Sequence, residues 1–326
     1  MSAAESGGKR RVVALSGGIG GAKLVLGLSR IIATGDLLVV ANTGDDFEHL
    51  GLAISPDLDT VMYALAGLDD PQRGWGRRDE TWTFMAALAA LGSETWFQLG
   101  DGDLATHVER TRRRAAGETL SAITADFCRR LGIAVRLVPM SDQEVRTRLR
   151  TAEGWLDFQD YFVRRGCAPA VLELAYAGAA TARAHPEALA ALADPGLRAV
   201  VIAPSNPFLS IEPMLAIPGL RAAIARCPAP VVAVSPIIGG RAVKGPTAKI
   251  MAELALPVTA SAVARRYRDL LDAYVLDRAD AGAVADTAAL GIAVSVAHTL
   301  MTTLEEREAL ARHVLATADA LAKAAA

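Results

Sequence analysis

The sequence predicts an α/β protein: a mostly parallel sheet with helices on both faces and a smaller inserted subdomain. Two observations carry this. Short continuous apolar runs recur along the chain, as in strands buried on both faces. Stretches of helical spacing lie between them, and that alternation marks a parallel sheet covered by crossover helices. With 326 residues, 52% of them hydrophobic, there is ample material for a large core.

Taken in order, strands are expected at 12–15 (VVAL), 37–41 (LLVVA), 96–99 (WFQL), 134–138 (AVRLV), 199–203 (AVVIA), 231–234 (VVAV) and 273–276 (AYVL). Helices are expected near 22–33, 57–66, 80–91, 103–116, 119–131, 186–193, 247–255 and 303–322. Residues 141–198 break this rhythm. Val145, Thr147 and Leu149 alternate as in an exposed antiparallel strand, and VLELAY alternates again, so this stretch reads as the inserted subdomain. Residues 1–8 read as a flexible tail and 9–326 as one domain.

Composition excludes several roles. A formal net charge of -2 gives no basis for binding nucleic acid or an acidic membrane. No run of 18 apolar residues exists, and the first residues lack the apolar core of a secretory signal. Cys128, Cys167 and Cys227 are odd in number and scattered, which suits neither a disulfide framework nor a metal site. A cytoplasmic protein is expected.

The loops after the strands are the polar, glycine-rich ones: SGGIGGAK, NTGDDFEHLG, GDGD, PMSD, PSNP and SPIIGG. In a parallel sheet these emerge at the carboxyl edge, where open α/β sheets bind ligands. In the first loop, Gly17, Gly18, Gly20 and Gly21 allow backbone amides close to a phosphate, with Lys23 beside them. The other reading is a tight turn with close strand–helix packing. Ala22 before the lysine and Leu24 after it rule out a Walker A loop.

Asp45, Asp46, Asp57 and Asp59 follow the second strand, and such carboxylates can converge on a hard cation such as Mg2+. Asp57 reads equally well as a helix cap. Asp46 and Asp59 are the catalytic candidates, and Asp45, Asp46 and Asp59 the metal candidates. Asp101 and His107 belong to a third acidic turn, with His107 expected on the first turn of its helix. His49 is a further candidate, although a lone histidine is more often structural. Ser205, Asn206, Ser235, Gly239 and Lys244 sit in rigid late turns whose donors and acceptors suit a nucleotide. Trp75 and Trp82 flank Arg73, Arg77 and Arg78 and suit a flat heterocycle or the core.

These motifs, together with SPDLDTVMY, EGWLDFQDYFV, APSNPFLSI, VSPIIGGRAVKGP and AHTLM, occur in the order found in the CofD family, which the chain resembles from about residue 11 to 316. The resemblance implies a Rossmann-like core, usually dimeric, and a Mg2+-assisted transferase. It implies a donor of guanosine diphosphate linked to phospholactate, phosphoenolpyruvate or phosphoglycerate chemistry, and the deazaflavin Fo as acceptor. Its ribityl hydroxyl would attack the phosphorus bearing the acid, releasing GMP in coenzyme F-420 synthesis. In this implied scheme the glycine loop holds the donor phosphates, Asp59 with Asp45 or Asp46 holds the metal or orients the hydroxyl, and Ser205, Asn206 and 235–246 hold the guanosine side. One position departs from the family. Gly102 stands where a basic residue is common, so Arg110 or a residue of the Arg73–Arg78 patch would have to supply that cation.

Two other readings compete. Proteins similar in fold bind a UDP-sugar and act as metabolic sensors rather than enzymes. An NAD-dependent oxidoreductase would need an acid ending the second strand, where Asn42 stands instead.

Overall fold

The computed structural model describes residues 10–325, so the tail expected over 1–8 lies outside them. Seven strands form the main sheet: β1 (Arg11–Ser16), β2 (Leu37–Ala41), β3 (Arg136–Pro139), β4 (Leu197–Ile202), β5 (Val231–Val234), β6 (Ala273–Asp277) and β7 (Ala293–Ala297). Every neighbouring pair is parallel, in the order β3-β2-β1-β4-β5-β6-β7. Chain order reverses between β1 and β4, and a ligand crevice opens at such a point outside the carboxyl ends of the strands. The fold is Rossmann-like.

Successive residues of β1 enter opposite cores because strand side chains alternate. Val12 and Ala14 pack with the helices α1 (Gly18–Ile31) and α2 (Pro56–Ala66) and the C-terminal helix Leu304–Ala325. Val13 and Leu15 join the other face, under helices Pro186–Leu192, Leu220–Ala225 and Ala260–Arg266. The helices on the first face approach closely: a Cβ on Gly27 of α1 would fall 2.2 Å from the Arg307 carbonyl oxygen. Helices α3 (Thr83–Ala90), α4 (Asp101–Ala115) and α5 (Leu120–Arg130) fill the long crossover from β2 to β3.

The stretch after β3 holds a three-stranded antiparallel sheet, with Arg146–Thr151 between Gly154–Asp157 and Glu173–Ala177. Val145, Thr147 and Leu149 turn inward, and the Thr147 N–H donates to the Gly44 carbonyl at 2.7 Å. This bond ties the small sheet to the loop after β2. Among the described residues no helix is long and apolar enough to cross a membrane.

One strand expectation is corrected and one strand is added. Residues 96–99 form no strand. Their aromatic rings instead pack against a short antiparallel hairpin of Phe47–His49 and Leu52–Ile54: Phe47 meets Phe97 edge-on at 4.8 Å, and His49 meets Trp96 at 4.9 Å. β7 was not anticipated, because this half-exposed strand lacks the unbroken apolar run of its neighbours.

Candidate active site

A cavity of about 590 Å3 opens at the carboxyl ends of the strands, at the β1–β4 reversal. The glycine loop forms part of its wall. Gly17 caps α1 without a side chain, and Gly18 takes φ +63°, a backbone region that favours glycine. A Cβ on Gly17 would lie 2.3 Å from Asp57 Oδ2, and one on Gly20 2.5 Å from the Pro204 carbonyl oxygen. The glycines therefore do two things: they let the loops after β1 and β4 touch, and they bring the Asp57 carboxylate onto the start of α1, where the Gly18 N–H meets it. The Gly17 N–H donates to Ser205 Oγ at 3.1 Å. Gly18, Ile19 and Gly20 line the cavity at the positive end of a 14-residue helix, a place suited to an anion.

Two lysines add charge. Lys23 lines the cavity and donates to the Met301 carbonyl at 2.8 Å. Burial, and then the charges of Arg307 and Lys244, hold its pKa below the ordinary value. Lys244 also lines the cavity and lies so close to Gly74 that a Cβ there would fall 2.1 Å from its Nζ.

Ser205, Asn206 and Ser235 line the cavity too, each with local duties. Asn206 Oδ1 accepts from the Phe208 and Leu209 amides, and the Ser235 hydroxyl donates to the Ile237 carbonyl. Gly239 does not line it. With φ +58° it turns the small hairpin of Ile237–Ile238 and Arg241–Ala242, and its N–H donates to Asp280. Gly21 packs against the Ser16 and Ser205 hydroxyls.

The four aspartates after β2 do not converge on one point. Asp45 and Asp57 form one group around Asn42, whose amide donates to Asp45 Oδ1 at 3.2 Å and to Asp57 Oδ2 at 2.9 Å. The Asp57 N–H donates to Asp45 Oδ2 at 3.0 Å, and the Ser210 hydroxyl to Asp57 Oδ2 at 2.9 Å. Asp46 accepts from the Ser55 hydroxyl through Oδ2, while its Oδ1 is buried without a partner.

Asp59 belongs to a different group. Both of its oxygens are held by the Arg110 guanidinium, whose residue is only 1% exposed. Arg110 is thus unavailable as the cation expected in place of Gly102. Arg77 is the patch residue beside Gly102: Nη1 donates to the Gly102 carbonyl at 3.1 Å, and a Cβ on Gly102 would meet Cζ at 3.4 Å.

His107 lies within this second group, on the second turn of α4 rather than the first, because the helix begins at Asp101. Arg110 Nη1 stands 3.2 Å from His107 Nδ1. A guanidinium can only donate, so Nδ1 accepts and Nε2 carries the proton. That Nε2 sits 3.3 Å from Asp103 Oδ1 without a formed hydrogen bond. Asp103 Oδ1 also accepts from the Tyr63 hydroxyl at 2.6 Å.

Ligand atoms of Asp59, Asp103 and His107 lie within 4.8 Å of one another, close enough for one cation to touch all three. Of the expected set, Asp59 belongs to this group and Asp45 and Asp46 do not. The imidazole does not suit Mg2+, which prefers oxygen, and as a neutral Nε2–H tautomer it presents a proton rather than a lone pair. The two carboxylates do fit a hard cation.

Asp103 and Tyr63 were missed in the sequence, and Asp101 was chosen in place of Asp103. Asp101 lies outside the cavity lining, accepting from the Thr83 and Phe84 amides at the start of α3. Six aromatic residues form much of the remaining wall: Tyr63, Trp75, Trp96, Phe97, Phe158 and Phe162. Trp75 is 44% exposed and meets Trp82 edge-on, with the Arg73 guanidinium over both rings. His49 packs behind this wall against Trp96 and Phe97.

Burial raises the pKa of Asp45, Asp46, Asp57 and Asp59, and reaches about 7 for Asp46, where Arg146, Ser55 and Arg110 only partly oppose it. For Asp103 burial also opposes ionisation, but the neighbouring His107, the hydrogen bond from Tyr63 and the charge of Arg110 outweigh it, and the net shift is downward. The raised acids give a pH prediction. Between an ordinary value near about 4 and the folded value, the native state keeps protons that the unfolded chain has lost. Stability should therefore fall as pH rises from about 4 to about 7. Asp46→Asn should flatten part of that slope in thermal melts; an unchanged slope would remove Asp46 as its source.

The family model described as 2-phospho-L-lactate transferase CofD matches residues 12–317. The chain belongs to the CofD family. It is thereby a member of a family of enzymes that transfer a phospho group. A phosphoenolpyruvate transferase of Kitasatospora aureofaciens is 44% identical over 316 residues, covering 95% of this chain and 98% of its own. One from Streptomyces griseus is 42% identical over 315 residues with the same coverage. One from Mycobacterium leprae is 40% identical over 297 residues, covering 83% and 89%. A crystal structure of a UPF0052 family member from Bacillus halodurans aligns with TM-score 0.62 at 14% identity, covering 94% of this chain and 99% of that one. That likeness concerns the fold alone.

Proposed function

We propose that the protein moves a phospho-three-carbon-acid group from a guanosine diphosphate-linked donor to the ribityl hydroxyl of Fo, releasing GMP, in coenzyme F-420 synthesis. The observation that carries this is the near-full-length similarity to relatives named phosphoenolpyruvate transferase, which also favours enolpyruvate as the acid. The cavity is consistent with it, since one wall offers helix amides and lysines while another is aromatic.

In this reading the amides of Ile19 and Gly20, with Lys23 and Lys244, hold the donor phosphates. Ser205, Asn206 and Ser235 face the guanosine side, and the aromatic wall receives the deazaflavin ring. The hydroxyl oxygen forms a bond to the phosphorus bearing the acid as the bond from that phosphorus to the GMP oxygen breaks. The hydroxyl proton passes to Asp103, the ionised and least enclosed acid of its group. Such an acid is a weak base, which suffices because phosphoryl transfer depends mainly on positioning and charge neutralisation. Mg2+ would be held by the Asp59 carboxylate and one oxygen of Asp103, leaving the other Asp103 oxygen for the proton, and would neutralise charge on the phosphate oxygens. His107 Nε2–H stands ready to donate to one of them.

The test is mass spectrometry after incubating the protein with Fo, Mg2+ and guanosine diphosphates bearing enolpyruvate, lactate or glycerate. The expected product has the mass of Fo plus one phospho-acid, with enolpyruvate giving the highest turnover. No product from any of the three would sink the proposal.

A further inference from the structure

We infer that Glu80 is a positioning residue of this site: reaching from the loop before α3, its carboxylate caps α4 and sets where Asp103 and His107 stand in the cavity. The inference rests on the transferase reading above for its kinetic consequences, and on geometry for the placement.

The first amides of a helix have no partner within it, and a side chain at the N-cap usually supplies one. α4 has no such side chain, because its N-cap is Gly100. Glu80 replaces it from outside. Oε2 accepts from the Gly102 N–H at 2.6 Å and Oε1 from the Asp103 N–H at 2.8 Å. Two bonds from one rigid carboxylate fix both the height and the rotation of that turn. Asp103 lies in it, and His107 follows one turn on.

The glycines are shaped to this contact. A Cβ on Gly100 would fall 2.3 Å from Glu80 Cδ, and one on Gly102 would sit 3.2 Å from both carboxylate oxygens. The hold is reciprocal: the Asp101 N–H donates to the Thr81 carbonyl at 2.9 Å, while the Asp101 carboxylate caps α3. Arg77, in the same loop as Glu80, adds its bond to the Gly102 carbonyl, and Trp75 of that loop lines the cavity. The aromatic wall and the acidic group are therefore one connected unit, joined at Glu80. A local cap would stabilise α4 equally well without making that connection.

The test separates the two roles. Glu80→Ala should lower kcat with Fo and the enolpyruvate donor by roughly 10–100-fold, because small displacements of catalytic groups have effects of that order. The KM of the donor should stay within about twofold, since the α1 end of the cavity is untouched. Adding Gly100→Ser gives α4 its own cap in the space that Glu80 vacates. The double variant should regain the Tm of the parent and still lack its kcat. Recovery of both would show that Glu80 is only a helix cap and overturn the inference. If the parent itself turns nothing over, the transferase reading fails separately. A crystal structure of Glu80→Ala then decides the placement: Asp103 displaced from Tyr63 supports it, and Asp103 unmoved overturns it.

Discussion

Arg110→Met should destabilise the protein by about 3–5 kcal/mol, the usual effect of removing one partner from a buried ion pair. Among the described residues Arg110 is the largest fully buried side chain, and its guanidinium meets both oxygens of Asp59, His107 Nδ1 and the Ala53 carbonyl. Without it Asp59 faces the interior as an uncompensated charge or takes up a proton at a pKa that burial already raises. Thermal unfolding should show the loss as a fall in Tm of roughly 5–15 °C. The paired change Arg110→Met with Asp59→Leu removes both charges and should recover much of that stability, while the protein stays inactive. A single variant with an unchanged Tm would mean that the ion pair is solvated and does not anchor α2 to α4.

The fold was legible where strands are buried on both faces. β1, β2, β5 and β6 read directly, since a central parallel strand has no polar face to interrupt it. The same logic failed at the margins. Edge strand β7 exposes part of its length and loses the signal, whereas Trp96 to Leu99 shows the signal without the strand. Apolar composition reports burial, and aromatic rings can be buried by packing on one another as in the cluster around Phe47.

The site was legible as loops and less so as residues. The glycine loop could be placed because its sequence sits between a strand and a helix. The GDGD turn could not be resolved, because Asp101 and Asp103 look alike in it and the choice is made by Glu80, 22 residues upstream of Gly102. A helical signal was nonetheless present. Asp59 and Tyr63 are four apart on α2, and Asp103 and His107 four apart on α4, so each pair shares a helix face. That the two faces meet is a fact of tertiary packing, with Arg110 between them.

Asp103→Asn isolates the chemistry of that meeting point. Asparagine has nearly the same shape, and its carbonyl oxygen can still accept from Tyr63, so the melting temperature should change little. What disappears is the negative charge that sits beside His107 and lines the cavity. If Asp103 receives the proton of the acceptor hydroxyl, kcat should fall by about 10²–10⁴, the range that general-base catalysis contributes. Donor binding, measured as the affinity of guanosine diphosphate for the protein, should remain, since the amides of α1 and the two lysines are intact. A large loss of that affinity with kcat preserved would give Asp103 a binding role instead. Retained activity with retained affinity would pass the proton to another group, and Asp59 would be the next to replace. The comparison has a physical basis in the opposite environments of the two acids: burial leaves Asp59 raised even against Arg110, whereas His107, Tyr63 and the Arg110 charge hold Asp103 below its ordinary value.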